Sequence, residues 1–103
     1  MEVDRAVRIG LDFRVLLEFD HNRALIGITE NVSDSGVFVT LRYRPVGVFI
    51  SDYAKLHLFP FFNDQNFWRP CLVTRLTNTG IAVQFIEKLP ENFRGSLKRN
   101  TTN

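Results

Sequence analysis

Cysteine occurs once in the 103 residues, at Cys71, so the chain can build neither a disulfide framework nor a thiolate metal site. Lysine is also scarce: 3 lysines stand against 10 arginines and the formal charge is only +2, without the basic blocks that mark non-specific duplex binders. No run approaches the ~18 apolar residues of a membrane span, and no basic segment leads into an apolar core as in a signal peptide. The glycines form neither a P-loop nor a dinucleotide fingerprint, and no spacing forces two acids together. His21 falls in a polar turn. His57 faces away from Leu56 and Leu58 and reads as a surface residue, and Cys71 reads as a small buried one. No hydrolytic, redox or metal-binding constellation follows. The expectation is a cytoplasmic protein that is not an enzyme, needs no cofactor, has no DNA or RNA partner and no membrane insertion, and is a monomer or weak dimer.

Core-forming residues are in good supply. Hydrophobic residues make up 45% of the chain and phenylalanine alone contributes 10, enough for one self-sufficient domain over residues 1–103. Phe13, Val15, Leu17 and Phe19 alternate with Arg14, Leu16 and Glu18, the period of a half-buried strand. The same period recurs over 24–30, 37–43, 53–59, 67–76 and 81–85. Pro45 and Gly47 interrupt the third run, after which Val48-Phe49-Ile50 is either a connector or a brief strand. Pro60 stops the fourth run, residues 61–66 form a loop whose two phenylalanines tuck under a barrel end, and Pro70 places the start of the fifth run at an edge or a bulge. Leu89-Pro90-Glu91, with Phe93 and Leu97 four apart, carries helix signals. Six short strands and one helix predict a mainly all-β domain. Residues 1–11 form a flexible arm, 12–86 a six-stranded antiparallel barrel and 90–99 a C-terminal helix.

Between the second and third runs lies Asn31-Val32-Ser33-Asp34-Ser35-Gly36, a turn of short polar side chains closed by a glycine whose backbone freedom, including φ > 0, the turn is expected to need. With Arg8 upstream and Gly36-Val37-Phe38-Val39 running into a strand, the chain resembles a PilZ domain. That bacterial family is marked by R-x-x-x-R near the N-terminus and by [D/N]-x-S-x-x-G before its third strand. Asn31, Ser33 and Gly36 match every fixed position of the second motif, and Gly80-Ile81-Ala82-Val83-Gln84-Phe85 is similar to the glycine-led strand that often closes the family's barrel. Arg8 corresponds to the second arginine. The position of the first holds Asp4, with Arg5 beside it, which is a departure from the pattern.

The resemblance implies a stand-alone receptor for the bacterial second messenger cyclic di-GMP, a signalling role of the kind tied to motility and biofilm, and relay to an unidentified protein partner. Its implied ligand-binding residues are Arg5, Arg8, Asn31, Ser33 and Gly36: arginine meets a guanine edge or a phosphate, and Asn31 and Ser33 hydrogen-bond guanine. Trp68 and Arg69 could add stacking near the barrel mouth. Asp4 favours an alternative, an adaptor that has lost nucleotide binding and acts through protein contacts, for example in pilus or secretion assembly. A barrel binding single-stranded nucleic acid ranks last, because the aromatic residues are mostly phenylalanines at core spacing rather than stacking platforms.

Overall fold

The computed structural model describes residues 12–20, 23–59 and 67–95. Six strands, β1 (Arg14–Phe19), β2 (Arg23–Glu30), β3 (Gly36–Leu41), β4 (Tyr53–Leu58), β5 (Trp68–Leu76) and β6 (Gly80–Phe85), follow the predicted runs closely. They form a closed antiparallel barrel in the order β1-β2-β3-β6-β5-β4, with β1 also paired to β4. Alternation sets the core: Val15, Leu17 and Phe19 of β1, Val37, Val39 and Leu41 of β3, Cys71 and Val73 of β5, and Ile81 and Val83 of β6 point inward and are buried. Burial of an aliphatic side chain stabilises by roughly 1.5–3 kcal/mol, which is why this register is the one adopted. Val48-Phe49-Ile50 is a connector, not a strand, and only Val48 turns into the core.

Two features depart from the expected pattern. Pro70 occupies no edge, since β5 has neighbours on both sides, and the bulge falls later, between Val73 and Arg75. Pro70 sits where the β5–β6 ladder runs out: its carbonyl accepts a hydrogen bond from Ile86 N at 3.0 Å, and the N–H it lacks would face the same way, past the last residue of β6.

The second departure concerns residues 90–95, the described part of the expected 90–99 helix. They form one turn, with Phe93 N donating to Pro90 O at 3.1 Å, and then lie against the barrel. A helix would send Arg94 N to Pro90 O. It goes instead to Asp20 Oδ1 at 2.6 Å, and a side chain at Gly95 would collide with the Glu18 carboxylate. Tertiary contacts thus replace a helix nucleus that is unfavourable by itself. Residues 96–99, the 1–11 arm and the 61–66 loop lie outside the described residues.

Candidate functional site

The β2–β3 turn is built almost entirely from its own polar groups. Asn31 enters it with φ 54°, a left-handed conformation that asparagine tolerates better than most residues. Ser33 N then donates to Gly36 O at 2.9 Å. The Ser33 hydroxyl accepts from Ser35 N and Gly36 N, each at 3.3 Å, and lies 3.2 Å from Gly36 O and 3.3 Å from Ser35 Oγ. Ser35 O accepts from Phe85 N at 2.8 Å, fastening the turn to the end of β6.

Gly36 is required for a reason other than the expected backbone freedom. Among the described residues only Gly47 is a glycine at positive φ; at Gly36 a Cβ would collide with the Val83 carbonyl of the neighbouring strand. The same device recurs at the opposite end of the β3–β6 pair. Thr77 N donates to Gly80 O at 3.0 Å, the Thr77 hydroxyl accepts from Thr79 N and Gly80 N at 3.1 Å each, and a Cβ on Gly80 would collide with the Val39 carbonyl. The pattern Ser33-Asp34-Ser35-Gly36 is thus repeated as Thr77-Asn78-Thr79-Gly80, a likeness legible in the sequence as hydroxyl, Asx, hydroxyl, glycine. Each fixed residue of the 31–36 motif therefore has a structural task. Among the described residues the Asn31 amide, exposed and without a hydrogen-bond partner, is the motif side chain left free to meet a ligand.

The chain enters the barrel beside this turn. Phe13 N donates to Thr29 Oγ1 at 2.8 Å and Thr29 N to Phe13 O at 2.9 Å, so the N-terminal segment leads in next to Asn31. Arg5 and Arg8 themselves lie outside the described residues. A groove of about 630 Å³ lies over the outer face of β1, β2 and β3, between Arg14 and Arg42 and over Ile26, Ile28 and Thr40. Its size is that of a small-molecule site. Arg14 and Arg42 were missed by reasoning from sequence because each reads as an ordinary polar position of a strand; the signal was that Ile26 and Ile28 share their outward face.

Trp68 and Arg69 are engaged elsewhere. The Lys55 ammonium stands 4.7 Å from the Trp68 ring centre, and the Arg69 guanidinium lies 4.0 Å over the Phe85 ring. His57, expected at the surface, is buried on the outer face of the barrel, 2.8 Å from Glu18 Oε1 and beside Trp68. The C-terminal strap that reaches Glu18 changes its environment, which strand alternation could not disclose. Cys71 is buried as expected. Desolvation pushes its thiol pKa up to about 12, only partly offset by the positive charge of Arg69 and a backbone hydrogen bond from Leu56.

Among the described residues no group of His, Cys, Asp and Glu could hold a metal ion, and no helix is long and apolar enough to cross a membrane. The family model described as PilZ domain matches residues 2–102. No curated protein and no solved structure matches the chain.

Proposed function

Because this chain belongs to the PilZ domain family, a family of receptor domains for cyclic di-GMP, we propose that it binds cyclic di-GMP and relays the signal to a protein partner. The observation that carries this reading is the junction of the chain entry with the 31–36 turn. Phe13 is hydrogen-bonded to Thr29 and Arg8 precedes Phe13 by five residues, so its Cα lies within about 17 Å of Phe13 even when the segment is fully extended. An arginine on such a tether can fold back over the turn. Arg8 then supplies the charge-assisted bonds to a guanine edge or phosphate, Arg5 stands in for the absent first arginine, and the unpaired Asn31 amide meets a base. Ser33 and Gly36 act by holding the turn in shape. Arg14 and Arg42, flanking the groove, are further cations for the two phosphates. The residues are those of a binding site, and the role is that of a receptor and not an enzyme.

Asp4 supports the second reading, an adaptor without nucleotide, because a carboxylate beside a dianion is repelled. Isothermal titration at one fixed salt concentration separates the two. For a receptor, Arg8→Ala weakens binding by roughly 1.5–3 kcal/mol, about ten- to a hundredfold, Arg5→Ala by a similar amount, and Asp4→Arg tightens it. Tight binding indifferent to Arg8→Ala refutes the site. No binding by the natural chain, with weak binding by Asp4→Arg, establishes the adaptor.

A further inference from the structure

At the end of the barrel opposite the 31–36 turn, the connector from β3 to β4 turns its apolar side chains outward. Tyr43 is 76% exposed, Val46 69%, Phe49 68% and Ile50 58%, while Val48 alone is buried beneath them. The connector is held in this arrangement by specific bonds. Arg23 Nη1 donates to Val46 O at 3.2 Å, and Gly47, at φ 80°, packs directly on the Arg23 guanidinium. Phe49 N donates to Asp52 Oδ2 at 2.8 Å and Asp52 N to Phe49 O at 3.0 Å. Ser51 N donates to Val73 O and Val73 N to Asp52 O, each at 2.8 Å. Ser51 itself sits at φ 80°, a conformation that persists in a non-glycine residue only where the surroundings impose it.

We propose that residues 42–52 dock this domain on an anionic lipid surface, with Phe49 and Ile50 entering the boundary between headgroups and acyl chains. Two observations select lipid over other occupants. At the tip the Phe49 N–H and carbonyl are both paired with Asp52, which lowers the cost of placing them in a low-dielectric medium. Arg42 and Arg44, exposed on the same connector, have no hydrogen-bond or ion-pair partner among the described residues, whereas the neighbouring carboxylates Asp52 and Asp20 are engaged by Phe49 N and Arg94 N. The face therefore combines an apolar tip with two unpaired arginines against the single carboxylate of the segment, Asp52, a net positive charge beside apolar side chains, the two signals that together give stable peripheral attachment. A second copy would set these arginines against one another. The contact is peripheral and crosses no bilayer; it shares Arg42 with the groove of the nucleotide reading, whereas Phe49 and Ile50 belong to the lipid contact alone.

The test is co-sedimentation of the full chain with vesicles of phosphatidylcholine alone and of phosphatidylcholine with 30% (about one lipid in three) phosphatidylglycerol, at low and high salt. Binding is expected only to the anionic vesicles and is weakened by salt. Phe49→Ser with Ile50→Ser should lower it by at least about tenfold, the loss of two apolar insertions. Arg42→Gln with Arg44→Gln should lower it by about tenfold or more, from two charges near the surface. Equal thermal melts show that both variants are folded. Absence of binding to anionic vesicles, or binding that both variants retain, overturns the proposal. So does a concentration-dependent dimer in sedimentation velocity that Phe49→Ser with Ile50→Ser abolishes, which would assign the face to a second copy.

Discussion

Replacing Gly36 with alanine tests the account of the motif turn most directly, because two different causes for this glycine give opposite results. A Cβ at this position collides with the Val83 carbonyl and falls 3.2 Å from Gln84 Cα. These are backbone atoms of a paired strand, so relief requires β3 and β6 to move apart where Gly36 is paired with Gln84. Overpacking of this kind costs about 1–3 kcal/mol, and a weakened ladder hydrogen bond adds about 1 kcal/mol. The reduced freedom of the unfolded chain returns about 0.4–1 kcal/mol. The net loss is about 1–3.5 kcal/mol, a fall in Tm of about 4–28 °C for a domain of this size. Urea unfolding followed by the fluorescence of Trp68, the single tryptophan, measures it, with the slope m unchanged. Gly80→Ala should lose a similar amount, since its Cβ meets the Val39 carbonyl. Gly36→Asn separates the causes. If positive φ were the requirement, asparagine would recover part of the loss; if the close approach is the requirement, it is at least as damaging as alanine. A stable Gly36→Ala, or a Gly36→Asn clearly better than it, refutes the steric explanation.

Ser33→Ala removes the hydroxyl that accepts from Ser35 N and Gly36 N and should destabilise by about 1 kcal/mol in the same urea assay, with Thr77→Val giving a similar loss at the matching turn. Glu18→Ala breaks the buried contact with His57 and should cost about 3–5 kcal/mol, while Glu18→Leu combined with His57→Leu should restore most of that stability; additive losses in the double variant would contradict this. Burial in the native state pushes the Cys71 thiol from its ordinary 9.0 up to about 12. The unfolded chain therefore releases that proton first, and the stability from the buried neutral thiol, fully present below about pH 9, is lost as pH rises from 9.0 towards about 12. Cys71→Ala should flatten the alkaline decline of Tm in that window, and a thiol reagent at pH 8 should label the natural chain only as it unfolds.

The strands were legible because each buries one face, and a period of two survives in the sequence wherever that holds, as in Val37, Val39 and Leu41. The reading failed where a second layer covers the outer face. Glu18 and His57 look like solvent positions until the strap at Gly95 arrives; Pro90, Glu91 and Phe93 carry local helix signals in that strap, whereas Asp20, 74 residues away from Arg94, decides its path. In the candidate site the 31–36 motif is legible as a turn and Gly36 as its obligatory residue, but the cause is steric and not a positive φ. A collision with Val83 across a barrel seam has no trace in the local sequence. Arg14 and Arg42 escaped notice because they come from different strands and are gathered only by the β1-β2-β3 pairing.

Every strand of this barrel has a neighbour on both sides, which bears on how the chain can associate with other molecules. An open sheet offers a row of unpaired N–H and C=O groups on which another chain can add a strand, whether as a docked peptide or as the first step of a fibre. Here closure of β1 on β4 removes that template. Recruitment by strand addition would require the seam to open first, so the folded domain should resist seeding by extended peptides, and a mutation that loosens the β1–β4 seam should produce aggregation before it produces loss of fold.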